Sequence, residues 1–184
     1  MKNFHLLAEG IPVDEALDQI LAQPHLWDRD PERTSLPNSP HTQSSDIWLR
    51  FRPKQELTEP ARFGDPHFAA FYSAWHDLPA LHPIVFHIMA MVQAVYLGGI
   101  LITRIPPGKA ILPHADKGWH PEFMNCKAYV ILQANEQCLN RCEDETVIMK
   151  PGEAWLFNNL VTHSVENRGE KERIALITTM RVER

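Results

Sequence analysis

Four residues in the second half of the chain carry groups that could hold a metal ion and an anion together. His114 and Asp116 form a His-x-Asp pair, His163 follows farther along, and Arg173 comes ten residues after it. Two imidazoles and one carboxylate are the ligand set of open divalent-iron sites, in which coordination positions remain for small molecules. In an extended segment, residues two apart point to one face, so His114 and Asp116 can reach one ion while Ala115 turns away. The Pro106-Pro107-Gly108 turn before the pair, and Pro113 within it, favour such an extended approach.

Arg173 needs a separate reason. The stretches Val161–Glu166 and Glu172–Met180 have strand patterns, and Asn167-Arg168-Gly169 lies between them. A three-residue hairpin with Gly169 as its left-handed residue predicts that Glu166 faces Glu170 and His163 faces Arg173. A guanidinium beside a cationic metal is useful when an anion sits between them. A dicarboxylate that chelates the ion at one end and pairs with Arg173 at the other satisfies both charges.

These residues lie in a longer pattern: Thr103-Arg-Ile-Pro-Pro-Gly108, Pro113-His-Ala-Asp116, Asn125-Cys-Lys-Ala-Tyr-Val-Ile-Leu132, Cys138-x-x-x-Cys142-x-Asp-Glu145, Pro151-Gly-Glu-Ala-Trp-Leu-Phe-Asn-Asn159, then His163 and Arg173. In order and spacing it resembles the aspartyl/asparaginyl β-hydroxylase-like branch of the Fe(II)/2-oxoglutarate-dependent dioxygenases, from about Gly98 to Arg181. The resemblance implies that His114, Asp116 and His163 bind Fe(II), and that Arg173 grips the distal carboxylate of 2-oxoglutarate with Thr103 nearby. It also implies a reaction with O2 that hydroxylates an unactivated C–H bond and releases succinate and CO2. The family often carries Arg-x-His on the strand after the metal pair, where this chain has Lys127-Ala128-Tyr129. Alternation places Lys127 and Tyr129 on one face, and both can donate to a carboxylate. They are therefore candidate co-substrate contacts, the other reading being a rim charge and a core aromatic.

The chain of 184 residues is long enough for one domain with a real core. Its net charge of −5 gives no field for nucleic acid or an anionic membrane surface. Three cysteines without a secretory signal (Met1–Leu7 is short and polar) lead to the expectation of reduced thiols in a cytoplasmic protein. The apolar run Pro83–Leu97 is too short to span a bilayer and reads as a buried helix starting at proline and stopping at Gly98-Gly99.

The elements that must position the site follow. Val13, Ala16, Leu17, Ile20 and Leu21 have helical spacing. Residues 29–45 read as a long loop, Asp46–Phe51 as a strand, and Asp65-Pro66 as the start of a helix with Phe68, Phe71, Tyr72 and Trp75 on one stripe. From Ile100 onward, strands dominate. The expected fold is mostly β with N-terminal helices: a double-stranded β-helix, the cupin-like jelly roll, with helices backing one sheet. Residues 1–97 would form the helical support and substrate side, and 98–184 the metal-binding core of the single domain 1–184. His41, Trp48, Arg50 and Trp119 are candidates for shaping the substrate mouth, or else plain scaffold. The substrate is expected to be a small molecule or an exposed protein side chain, and oligomeric state is not legible. Two rival readings remain open: a metal-dependent cupin enzyme that does not use 2-oxoglutarate, and a non-catalytic metal-binding module. A structural metal site would need a fourth protein ligand, for which His120 is the nearby candidate.

Overall fold

Runs of β-branched and aromatic residues dominate the chain after Gln93, and they pair into two sheets. The computed structural model describes residues 1–57 and 64–183. In chain order its elements are β1 (Phe4–Ala8), α1 (Asp14–Leu21), α2 (Glu32–Ser35), β2 (Ser45–Phe51), β3 (Ala70–Phe71), α3 (Ser73–Asp77), α4 (Leu81–Met91), β4 (Tyr96–Ile105), β5 (Ala110–His114), α5 (Trp119–Phe123), β6 (Cys126–Gln133), β7 (Cys138–Cys142), β8 (Glu145–Val147), β9 (Ala154–Phe157), β10 (His163–Asn167) and β11 (Arg173–Arg181). The larger sheet has the order β1-β9-β6-β11-β4-β2-β3, and the smaller one β5-β10-β7-β8. All the strand pairs are antiparallel. From β4 onward the chain passes back and forth between two sheets in the manner of a jelly roll, as the sequence predicts, with β7 and β8 forming a pair within the smaller one. The N-terminal half adds β1, β2 and β3 to the larger sheet as well as helices.

Each face of the larger sheet has its own core. On one, Ala16 and Ile20 of α1, Trp75 of α3 and Leu81, Ile84, Val85 and Ile88 of α4 pack on Ile47, Leu49, Ile100, Ile102, Val130 and Leu176. On the other, Trp48, Leu101, Tyr129, Ile131, Ala175 and Ile177 face the smaller sheet, whose Cys142 and Val147 join them. Alternate residues of one strand serve different layers, which is the period-two pattern of a sheet buried on both faces. Each fully buried aliphatic side chain contributes about 1.5–3 kcal/mol.

Several sequence expectations are corrected here. β10 and β11 do not form a hairpin: β10 pairs with β5 and β7, whereas β11 pairs with β4 and β6. The segment between them crosses from one sheet to the other. Asn167 holds that crossing, donating from Nδ2 to the Ile105 and Lys171 carbonyls while its Oδ1 accepts from Gly169 N. Gly169 is not a left-handed residue. A side chain there would collide with Asn135, 2.1 Å away, so the glycine serves close approach.

The helix expected over Pro83–Leu97 ends at Met91, with Gln93 at φ 54°. Only one stripe of it is buried: Phe86 and His87 are exposed. Gly98 and Gly99 lie inside β4 rather than ending a helix. A Cβ on Gly98 would lie 2.7 Å from Thr179 Oγ1 and 2.9 Å from the Thr179 carbonyl, so the strand pair tolerates no side chain there. The stripe from Phe68 to Trp75 is not helical as a whole. β3 and the short α3 share it, burying Tyr72 and Trp75 and leaving Phe68 85% exposed. Among the described residues no helix is long and apolar enough to cross a membrane.

Candidate metal centre

The smaller sheet brings the two imidazoles together. In the β10–β5 register His163 lies directly opposite His114, and their ring centroids are 4.3 Å apart. Directly opposed residues share a face, so the two rings meet on the side that faces the larger sheet. Asp116 follows just beyond β5, where its backbone N–H donates to the Asn159 carbonyl (2.9 Å). One potential ligand atom from each of His114, Asp116 and His163 falls within 4.8 Å of the others.

Hydrogen bonds preset which atoms are available. His114 Nδ1 donates to the Leu112 carbonyl (2.8 Å), and His163 Nδ1 to the Val161 carbonyl (2.9 Å). A carbonyl only accepts, so both Nδ1 atoms carry a proton, and Nε2 is the nitrogen each ring leaves for a metal. Asp116 Oδ2 is taken by Lys127 Nζ (2.6 Å) and Asn159 Nδ2 (2.9 Å). The other oxygen, Oδ1, lies 3.5 Å from His114 Nε2, a buried nitrogen that has no hydrogen-bond partner. Burial alone would raise the Asp116 carboxyl, but the Lys127 ammonium and the contacts with His114 and Asn159 hold it well below the usual carboxylate range. Burial, aided by Lys127, pushes His163 down to about 4. The donor set is therefore a carboxylate and two imidazoles that present Nε2, groups that bind a divalent cation. Outer partners that orient each ligand are what a working metal site has.

Arg173 is 1% exposed and projects between the sheets. Its Nη2 donates to Asn140 Oδ1 of β7 (3.0 Å), its guanidinium lies 5.3 Å from the Tyr129 ring, and its Nε has no partner. Among the described residues no carboxylate forms an ion pair with it. Burial pulls its pKa down, opposed by nearby Tyr129 and Cys138. Asn140 is two residues along β7 from Cys142, which sits opposite His163. The residue that anchors the guanidinium is thus about 7 Å along β7 from the one opposite His163, two residues at the usual rise. Tyr129 and Phe157 wall the path between: their rings are 4.4 Å apart, and Phe157 is 5.3 Å from His163.

The remaining sequence candidates are distributed unevenly. Lys127 and Tyr129 share the inner face of β6, but Lys127 is engaged by Asp116. Thr103 is fully buried, donating from Oγ1 to Asp46 Oδ1 and accepting from Arg33 Nη2 (both 2.9 Å). His41 and Trp48 line a cavity of about 350 Å³ that also contains His114, Asp116, Lys127 and Asn159. Neither Arg50 nor Trp119 lines it. A β-bulge between Trp48 and Arg50 breaks the alternation, and Arg50 turns out to the Phe71 and Tyr96 rings and the Ala69 carbonyl. Trp119 stacks on Phe123 at 5.0 Å outside the cavity. His120 lines the cavity but bonds Thr179 and is not among the clustered ligand atoms. The centre therefore keeps three protein ligands among the described residues.

Arg33, Asn140 and Asn159 were not singled out from sequence. Asn159 closes the motif Pro151–Asn159, so a signal for it existed. Asn140 lies between the two cysteines of another motif. Arg33 had none: it lies in an aperiodic loop, on the single turn α2. Its guanidinium is fixed by Asp46 (Nε–Oδ2 2.8 Å and Nη2–Oδ1 2.7 Å), and its Nη1 is 3.3 Å from His41 Nε2. The loop is pinned along β5 by the Leu112 N–H to Pro40 carbonyl bond (2.9 Å), which sets the His41 ring edge-on to His114 at 4.9 Å.

A family model described as aspartyl/asparaginyl beta-hydroxylase matches residues 32–182. No curated protein matches the sequence. Among solved structures, a prolyl-4-hydroxylase from Pseudomonas putida is similar over 98% of this chain and 93% of its own, at 17% identity and a TM-score of 0.52. An oxidoreductase of the 2OG-Fe(II) oxygenase family from Burkholderia pseudomallei is similar over 74% of this chain and 65% of its own, at 13% identity and a TM-score of 0.53. At these identities the likeness is one of fold.

Proposed function

The chain belongs to the aspartyl/asparaginyl β-hydroxylase family, and on that premise we propose that it is an Fe(II)- and 2-oxoglutarate-dependent dioxygenase. Its substrate in this reading is an amino acid, an amino-acid side chain in a protein, or a related small molecule. The observation that carries the proposal is a combination inside one inter-sheet space. Three ligand groups leave coordination positions open, and a buried guanidinium set back from them has no carboxylate partner among the described residues.

His114, Asp116 and His163 would hold the iron, through Nε2 of each imidazole and Oδ1 of the carboxylate. Bound there, iron would supply a place to chelate a 2-oxo acid and to reduce dioxygen, coupling loss of CO2 from 2-oxoglutarate to hydroxylation of a C–H bond. The protein's own part is positioning. Lys127 and Asn159 fix Asp116 so that one oxygen faces the imidazoles. Arg173, steadied by Asn140, would take the distal carboxylate of a five-carbon diacid in a charge-assisted pair, removing the penalty of a buried unpaired cation. Tyr129, in contact with Arg173, would line the co-substrate's path. Lys127 is spoken for by Asp116, so its contribution to the co-substrate would run through that ligand.

The test is anaerobic. Fe(II) and 2-oxoglutarate added together to the protein should produce a visible charge-transfer band that neither produces alone, and air should then convert 2-oxoglutarate to succinate. A band-free titration in a protein that binds iron would overturn the co-substrate assignment. Turnover of a substrate without 2-oxoglutarate would favour a different cupin chemistry.

A further inference from the structure

The two imidazoles of the metal centre are not held equally. His163 belongs to β10, which is paired on both sides, with β5 and with β7. His114 ends β5, the outermost strand of the smaller sheet. The β10–β5 register also slips just before it, passing from Ile111–Val165 to His114–His163, so that three steps on β5 match two on β10. The slip takes Leu112 and Pro113 out of the ladder, and proline has no N–H to donate. Such an edge depends on what covers it, and here the loop 29–45 does. The Leu112 N–H donates to the Pro40 carbonyl (2.9 Å) and the Ala110 N–H to Gln43 Oε1 (3.2 Å). Leu112 in turn supplies the carbonyl that accepts from His114 Nδ1 (2.8 Å). The next loop residue, His41, sets its ring edge-on against the His114 ring, with centroids 4.9 Å apart and planes at 82°. Pro40 and His41 therefore act on one metal-binding side chain, the first through its backbone and the second through its ring.

Contacts within the loop fix that pair. Its ends meet, the Asp28 N–H donating to the Asp46 carbonyl (2.9 Å) and the Asp46 N–H to Asp28 Oδ1 (3.2 Å), which is the closed neck of an Ω-loop. Inside it, Ser39 Oγ donates to the Arg33 carbonyl (2.6 Å), the His41 N–H to Ser39 Oγ (3.1 Å) and the Ser44 N–H to the His41 carbonyl (3.0 Å). Arg33 fastens the loop to Asp46 and reaches His41 Nε2 with its Nη1 (3.3 Å). The same loop gives the cavity Leu36, Pro37 and Ser39 as part of its wall. Resting on the reading of His114 as a metal ligand, we propose that the loop 29–45 is part of the metal centre, Pro40 and His41 being positioning residues that hold His114 in its binding orientation. Coupling of this kind runs both ways. Closure of the loop raises the affinity for a divalent cation, and a bound cation keeps the loop closed, and with it that wall of the cavity.

The probe is Co(II) alone, added to the metal-free full chain and followed by its visible absorption. In the wild type, saturation with Co(II) should slow amide hydrogen exchange at His41 and Ser44 about tenfold, while the amides of α4, packed on the opposite face of the larger sheet, stay unchanged. His41→Ala should weaken Co(II) binding by the same factor, about tenfold, as when an outer partner of a metal-binding histidine is lost. The urea midpoint of the metal-free protein should change little. His41→Phe keeps a ring to pack on His114 and drops the Arg33 contact, so it should recover the affinity to within about twofold. A scaffold role alone would lower the midpoint and leave both the Co(II) affinity and the Co(II)-dependent exchange where they were. Loop amides indifferent to Co(II), or an unchanged affinity in a folded His41→Ala protein, would overturn the proposal. Co(II) binding that His114→Ala does not weaken would remove the metal reading and this inference with it. Binding that needs His114 but ignores the loop would remove only the inference.

Discussion

Arg33, half-buried at the cavity, and Arg173, buried between the sheets, have opposite electrostatic circumstances. Arg33 is matched: Asp46 grips it through two nitrogens, and Thr103 and His41 take the rest of its fork. Among the described residues Arg173 has a single side-chain hydrogen bond, to the neutral amide of Asn140. A buried cation with its counter-ion inside the fold is a finished structural unit, and one without it carries a desolvation cost that a bound anion would offset. In the proposed reading the same guanidinium chemistry serves architecture at one position and ligand capture at the other.

The comparison can be broken by removing partners one at a time. The largest effect is expected at the metal position between the two regions. Asp116→Ala should lower iron affinity and turnover by more than about 100-fold, exceeding what losing an outer partner of a ligand does, while circular dichroism of the metal-free protein stays unchanged. Retained turnover would show that the carboxylate is not a ligand. Next comes Asp46→Ala, which strands Arg33 as a buried unpaired charge. It should destabilise the protein by about 3–5 kcal/mol in urea unfolding, whereas a loss below about 1 kcal/mol would mean that Arg33 does not depend on its partner. Arg173→Ala should reverse that pattern. It should weaken 2-oxoglutarate binding by about 1.5–3 kcal/mol, the worth of a hydrogen bond to a charged group, leave iron binding intact, and cost little stability. Equal loss of iron and co-substrate affinity in a titration would contradict its role. The smallest effect belongs to Asn140→Ala, which should raise the 2-oxoglutarate KM by an amount corresponding to about 0.5–1.5 kcal/mol with kcat nearly unchanged. A change confined to kcat would place Asn140 in another role.

The two arginines also mark how far a sequence reading reaches. Arg173 was found because it stands at a set distance from His163 in a recognisable pattern, yet the hairpin argued for that pair is absent. The two residues come from strands of different sheets, and they share an interior because those sheets face each other. The expected face sharing survived for a reason that local pairing rules do not contain. Arg33 shows the reverse. Nothing near it in sequence signals burial, and it becomes part of the cavity only because its loop is laid along β5 and its side chain passes to Asp46 on β2. Trp48 and Arg50 differ for a similarly nonlocal reason: alternation gave them one face, and a bulge in the β2–β4 pairing separated them.

By itself the sequence determined the ligand types, their shared face within Pro113–Asp116, the alternation of strand residues between two apolar layers, and the jelly-roll class. These follow from the backbone's own period, which each segment carries wherever it is placed. Only the tertiary structure decided that His163 stands opposite His114, that Lys127 serves Asp116, that Gly98 must yield to Thr179, and that one arginine has a counter-ion and the other, among the described residues, does not. Such contacts join residues more than ten positions apart. They depend on how two sheets close over one another, and closure has no local period to leave in the chain.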